Sequence, residues 1–306
     1  MTKSIVVAFH KYQPYGGEYY EPILDFFLQS MQKYKNEYDR IYIIDSNWNI
    51  RKNHQIHINV YEDKNISILQ VNPSLRYYEA YKEVLPQIQE DLVLFMDNDM
   101  VVYREGIIRK TFDKLDSSLP SVDVLGHDNA TYDVVSIYDT IGDYKTDRLH
   151  GKNKFCPYWF AAKKELLMQY QEVDWGSHMP HSETLGKLTE AMLNDGVESY
   201  EWEEDKSSLL FDGSESYPNG TGRGKDLGYM HVRAGSTLPV LLAWKKEGSE
   251  EYQKYLDTQP KSEYLRQACW YQYMGGDPTE VCSDVEITKE MWDNYYNKAL
   301  VYYGLT

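Results

Sequence analysis

Short, unbroken apolar runs, each ending beside a polar side chain and separated by segments of helical spacing, restrict this chain more than any other feature. Ile5 to Phe9 is a β-branched run that suits a strand buried on both faces, and it leads into a loop from His10 to Gly17. After Glu21-Pro22, residues Ile23, Phe26, Phe27 and Met31 recur at helical spacing, and Arg40 to Asp45 forms a second strand ending on an acid. Ile66 to Val71 is a third strand. Asn72-Pro73-Ser74 then opens a helix predicted from Leu75 to Gln89, with Pro86 kinking its last turn, and Leu92 to Met96 is a fourth strand. Strands alternating with helices of this length imply a mostly parallel sheet with helices on both faces and right-handed crossovers. Ligands of such sheets sit beyond the carboxyl ends of the strands, which singles out His10, Asp45 and whatever follows Met96.

With 306 residues the chain can build one large domain or two modest ones, around a core that needs no disulfide staples. Its 32 Lys and Arg stand against 48 Asp and Glu, and the net charge of −16 opposes the phosphate attraction on which nucleic-acid binders rely. Cys156, Cys269 and Cys282 are odd in number and lack metal-site spacing, which points to a reducing compartment rather than a disulfide framework or structural zinc. No run approaches the ~20 apolar residues of a membrane span and no leader is evident, so the expectation is a cytoplasmic protein. The sequons at Asn65, Asn129 and Asn219 then carry little meaning. The 29 tyrosines chiefly suit half-buried positions, with some free to line a carbohydrate-facing surface.

Past the fourth strand the pattern predicts a helix from Ile107 to Leu115, a strand from Val122 to Leu125, and an aromatic strand or loop from Phe155 to Phe160 feeding a helix from Ala161 to Tyr170. A further helix begins at His181 and runs to about Leu193. Residues 197–224 read as polar and Gly/Ser-rich, with the acidic run Glu201 to Asp205 as a solvated face. Helical spacing returns from Leu238, making 236–306 a C-terminal helical extension of a main domain spanning 1–235. Directly after Met96 stand Asp97-Asn98-Asp99. Two carboxylates one residue apart repel one another unless a cation sits between them, and a hard divalent ion with oxygen ligands suits that spacing; the competing reading is a polar strand-end turn.

In the order and spacing of these features the chain resembles glycosyltransferases of the GT-A fold, closest to the large family-2-like group, over roughly residues 4 to 235. The matching features are the strand ending at Phe9, the strand ending at Asp45, the helix after Asn72-Pro73-Ser74, the fourth strand with its Asp-x-Asp, and a late histidine in Leu227-Gly228-Tyr229-Met230-His231. The resemblance implies a Rossmann-like, mostly parallel central sheet flanked by helices, with 1–235 as the catalytic domain. It implies that Asp97 and Asp99 hold Mn²⁺ or Mg²⁺ at the donor diphosphate, with Asn98 beside the donor, and that His231 is the C-terminal metal ligand. An imidazole tilts that preference toward Mn²⁺. It also implies that Asp45 meets the donor nucleoside, that Phe9 and His10 flank the base, and that Arg76 contacts the nucleotide. Plain readings compete with these: Asp45 as a strand cap, His231 as a core histidine, Arg76 as a surface cation.

Glycosyl transfer needs stabilisation of the departing diphosphate, which a divalent ion supplies as a Lewis acid, and an acceptor hydroxyl held in line, usually by a carboxylate base. Glu183 is the best match to the family's base, with Asp174 in reserve; the competing reading of Glu183 is an acid favoured at a helix start. Gly151 to Phe160 resembles the loop that walls the donor sugar and acceptor, so Tyr158 or Trp159 would stack on a sugar face unless they are core aromatics. Lys225 and Arg233 would meet phosphates. The implied activity is transfer from a nucleotide sugar, UDP-linked by preference, to a hydroxyl acceptor in glycan or polysaccharide synthesis. The alternatives are a non-catalytic carbohydrate- or nucleotide-binding protein and, ranked lower, a sugar nucleotidyltransferase, whose Gly- and Arg-containing first loop is missing from His10 to Gly17. The helical tail either forms a homodimer or covers the acceptor site, and the sequence leaves both open.

Overall fold

The computed structural model describes residues 1–9, 24, 27–28, 31–45, 65–72, 74–75, 77–98, 100–102, 105–116, 131–140, 153–175, 185–202, 223–224, 229–231, 244–246, 248–258 and scattered positions between 272 and 293. Their strands are β1 (Lys3–Phe9), β2 (Arg40–Asp45), β3 (Ile66–Gln70), β4 (Leu92–Met96), β5 (Met100–Val102), β6 (Val134–Thr140), β7 (Asn153–Lys163), β8 (Ser199–Trp202), β9 (Arg223–Gly224) and β10 (Tyr229–His231). Seven of them form one sheet in the order β3-β2-β1-β4-β7-β6-β8, and β5-β10-β9 make a small second one. β1 to β4 run parallel. β7 is antiparallel to both its neighbours, and β8 returns parallel to β6. With its flanking helices this is a mixed, mostly parallel, Rossmann-like α/β sheet, as the strand–helix alternation predicted.

The unbroken apolar runs follow from burial on both faces. Alternate residues along a strand point to opposite sides. Ile5, Val7, Ile41, Ile43, Leu92 and Leu94 join one core with Phe27, Met31 and Phe112, while Val6, Ala8, Tyr42, Ile44, Val93 and Phe95 join the other with Tyr81 and Trp175. In the second core Phe95 is the hub: Tyr81, Phe160 and Trp175 lie with ring centroids 4.6, 5.9 and 6.3 Å from it, spacings at which ring pairs attract beyond their buried area.

Three expectations are corrected. The helix predicted from Ala161 is strand as far as Lys163, because Ala161 and Ala162 pair with Leu94 and Val93 on one side and with Val135 and Val134 on the other. Two ladders outweigh alanine's helix preference, and the helix runs only over Lys164–Gln169. Within the stretch read as polar, Ser199–Trp202 is an edge strand. The helix predicted from Leu75 starts at Tyr77, and Pro86 sits in a separate 3₁₀ turn, Leu85–Gln87, as its missing N–H requires. The strand expected at Val122 to Leu125 lies outside the described residues. In the C-terminal region Glu250–Thr258 and Thr279–Cys282 are helical, and no described helix is long and apolar enough to cross a membrane.

Candidate active site

β1 lies between β2 and β4, where the strand order reverses, and the crevice beyond the carboxyl ends at such a point is where ligands of open α/β sheets bind. Phe9 pairs with Asp45 there, and Val7 pairs with Met96. Asp45 is buried, and its carbonyl accepts the Val71 N–H at 3.1 Å. Asp97 and Asn98 follow β4 half-buried, and the Asp97 carbonyl accepts the Met100 N–H at 3.2 Å, turning the chain straight into β5. β5 pairs antiparallel with β10, so that His231 stands opposite Met100, the residue after Asp99. The strand ladder thus carries the backbone of the late histidine to the Asp-x-Asp segment.

Beyond β5 comes the helix Ile107–Asp113, whose N-cap is Gly106 at φ 89°, a left-handed conformation that glycine adopts without strain. Glycine has no side chain with which to cap the helix. Glu37 does it instead: Oε1 accepts the Gly106 N–H at 2.6 Å and Oε2 the Arg109 N–H at 3.0 Å. Sequence reasoning missed Glu37, and no local pattern marks it.

β7 carries an irregularity beside this edge. Phe160 pairs with Ser136 and Phe155 with Tyr138, so Cys156 to Trp159 stand opposite the single residue Ile137. Pro157 lies within that stretch and has no N–H for a ladder, which accounts for the break. Trp159 still pairs with Met96 on β4, but its side chain is fully buried and its indole N–H donates to Thr111 Oγ1 at 3.3 Å. The sugar-wall expectation for Trp159 is therefore corrected to core packing, since a buried ring has no face open to a sugar. Tyr158 precedes it in β7, beside the end of β4.

His10, Arg76, Asp99, Glu183, Lys225 and Arg233 lie outside the described residues, as do the side chains of Phe9, Tyr158 and His231. Leu185, two residues after Glu183, has φ 63° while buried, a left-handed backbone that a non-glycine residue holds only when its surroundings fix it. It opens the helix Gly186–Asn194, where Thr189 Oγ1 accepts the Phe155 N–H at 3.1 Å. The reserve acid Asp174 is exposed and pairs with Lys187 at 2.6 Å. Asp97 and Asn98 offer half-exposed oxygen donors of the kind a hard divalent cation takes, so the residues at the end of β4 fit such an ion. Among the described residues no group of three or more metal-ligating side chains comes together.

No protein-family model and no curated protein sequence matches the chain. Among solved structures, it is similar to a mannosyltransferase from Pyrobaculum calidifontis in complex with GDP-Man and Mn²⁺, at 10% identity and TM-score 0.43, over 99% of this chain and 85% of that one. A 4-diphosphocytidyl-2C-methyl-D-erythritol synthase from Anaerococcus prevotii shows 17% identity and TM-score 0.42, over 66% of this chain and 86% of that one. A CMP:2-keto-3-deoxy-manno-octonic acid synthetase complexed with CTP shows 10% identity and TM-score 0.42, over 68% and 93%. These structural neighbours are thus of glycosyltransferase and nucleotidyltransferase kinds, a likeness of fold alone.

Proposed function

We propose that the chain is a metal-dependent glycosyltransferase that moves a sugar from a nucleotide sugar, UDP-linked by preference, to a hydroxyl acceptor. One observation carries this reading: Asp97 ends β4 beside the switch point and turns at once into a strand paired with the one that ends at His231. In this reading Asp97, Asp99 and His231 would hold Mn²⁺ or Mg²⁺, which when bound would offset the charge of the donor diphosphate. Asn98 and Arg76 contact the donor, Asp45 meets its nucleoside, and Phe9 and His10 flank the base. Tyr158 remains the acceptor-side aromatic.

The acceptor oxygen attacks the anomeric carbon as the bond from that carbon to the diphosphate oxygen breaks, and the nucleoside diphosphate leaves with the electron pair. Glu183 takes the acceptor proton. In the sequence it lies three residues ahead of the helix Gly186–Asn194.

The test is an assay of the purified chain with UDP-, GDP-, CMP- and ADP-linked sugars and Mn²⁺, in the presence of a panel of sugar acceptors. Release of the nucleoside diphosphate, or of CMP from the CMP-linked sugar, with a glycosylated product supports the reading. Pyrophosphate from a nucleoside triphosphate and a sugar phosphate would instead make it a nucleotidyltransferase, and binding without turnover would make it a binding protein.

A further inference from the structure

The lysines and arginines of the sheet domain fall into two groups. Most are matched: Lys3, Arg40, Lys163 and Lys187 by carboxylates, Lys82 and Lys164 by carbonyl oxygens, and Lys114 by the Tyr200 ring, whose centroid is 4.6 Å from its Nζ. Lys33, Lys35, Arg109 and Lys110 are exposed, and among the side chains described up to residue 235 they are the cations without a partner. All four lie on two segments that touch. Lys33 and Lys35 stand in the turn just before Glu37, whose buried carboxylate accepts the Gly106 N–H at 2.6 Å and the N–H of Arg109 itself at 3.0 Å. That contact sets the turn against the first turn of the helix Ile107–Asp113, and Lys3, reaching Asp113 at 3.5 Å, places the helix beside the start of β1. Met31 and Tyr34 of the one segment and Ile108 and Phe112 of the other are in the core, which leaves the charged side chains outward. Asp39 and Glu105, also exposed, stand at the margin and offset part of the charge.

On a chain of net charge −16, unmatched cations gathered on one face reverse the sign locally. At physiological ionic strength a charge is felt over about 8 Å, so a partner touching this face meets the cations and not the acids elsewhere. A second copy across a two-fold axis would set the patch against itself, and like charges repel. None of the four is held in place by a neighbour, and Tyr34 and Tyr38 are buried, so the face offers neither a fixed geometry for a shaped anion nor a ring for a nucleic-acid base. Long, flexible cations suit a partner whose anions rearrange to meet them, as the headgroups of a fluid bilayer do. We propose that this face docks the protein on an anionic lipid surface, leaving the crevice at the carboxyl ends of the strands open. The docking does not depend on what that crevice binds.

Cosedimentation of the full chain with vesicles tests it, using phosphatidylcholine alone and phosphatidylcholine with phosphatidylserine. Each lysine or arginine near such a surface contributes about fivefold in binding. Lys33→Gln with Lys35→Gln, and separately Arg109→Gln with Lys110→Gln, should therefore each weaken binding about 25-fold. All four positions are exposed, so the variants should keep the fold, which circular dichroism checks. Lys187→Gln with Lys289→Gln is the control, since it removes the same charge from cations already paired with Asp174 and Asp293. The proposal expects binding that needs phosphatidylserine, weakens as salt rises, drops in both test pairs and is unchanged in the control. It is overturned if wild type ignores the anionic vesicles, if either folded test pair binds them like wild type, or if the control loses as much. Wild type that passes over the vesicles but holds a polyglutamate peptide through the same residues would make the partner an acidic protein instead.

Discussion

The two edges of the main sheet use acidic residues in different ways. At the amino edge the carboxylates tie one element to another: Asp91 accepts the Thr2 N–H at 2.8 Å and its hydroxyl at 3.1 Å, Asp39 accepts the Lys3 N–H at 2.7 Å, and Glu90 accepts Arg40 Nε at 3.1 Å. Arg40 also donates to Ser67 Oγ at 2.8 Å, and Lys164 donates to the Ile88 carbonyl. At the carboxyl edge Asp45 and Asp97 stand at the ends of parallel strands, Asp97 half-exposed just before a second acid in sequence. The first arrangement closes the strand starts against water. The second sets two acids at strand ends beside the switch point, Asp45 buried and Asp97 half-exposed, where the reading proposed above puts a cation. Stability should therefore respond to changes at one edge and ligand binding to changes at the other.

The sharpest test of that division is Asp97→Ala. Turnover should fall at least about a hundredfold, the scale of losing one group that stabilises developing charge, while the variant stays folded at the assay temperature. A variant that is mainly destabilised would make the two edges alike. Arg40→Ala should do the reverse. It leaves Glu90, 6% exposed and already with Oε2 unpaired, without its cation, and because Arg40 itself is one-third exposed the cost is about 2 kcal/mol in urea unfolding rather than the 3–5 of a fully buried pair. Nucleotide binding should not change.

The division also has a pH signature. Burial, reinforced by the hydrogen bond to Asp195, pushes the Tyr170 hydroxyl up to about 12 from its ordinary 10.0. The folded state thus keeps a proton that the unfolded state gives up, so this stabilisation is complete below pH 10 and is lost as the pH rises toward 12. Denaturation at stepped alkaline pH should show wild type falling relative to Tyr170→Phe across that window; parallel curves would remove Tyr170 from the account. The smallest effect is at Thr2. Its N–H and then its hydroxyl hold Asp91 below the ordinary carboxylate value of 3.8, a stabilisation present above that pH and lost as the pH falls through the depressed value. Thr2→Val keeps the N–H and loses the hydroxyl, at about 0.5 kcal/mol near neutrality. That difference should shrink on acidification below pH 3.8.

The parallel half of the sheet was legible because burial on both faces writes itself as unbroken apolar runs: Arg40–Asp45 and Leu92–Met96 have the limits that the sequence predicts. The antiparallel half was not. Val134–Thr140 mixes polar with apolar residues, Ser199–Trp202 is a short edge strand inside an acidic stretch, and Ala161–Lys163 reads locally as helix until both neighbouring strands are present. The candidate site divides likewise. Asp97 could be found because it ends a recognisable strand, and Glu37 could not, because its partners lie 69 and 72 residues away. Trp159 stayed open between two readings for a related reason: an aromatic two residues after a proline looks the same in sequence whether it faces a crevice or fills a core.

The most direct test of the central claim, that the carboxyl edge is a metal-dependent nucleotide site, is a thermal-shift panel of UDP, GDP, CMP and ADP with and without Mn²⁺, on wild type and Asp97→Ala. A nucleotide at about a hundred times its Kd stabilises by about 2.7 kcal/mol, a rise of a few degrees for a chain of this size. The account predicts that rise for UDP with Mn²⁺ in wild type, and its absence when either Mn²⁺ or Asp97 is removed. No shift with any nucleotide, or a UDP shift that survives both removals, would contradict it.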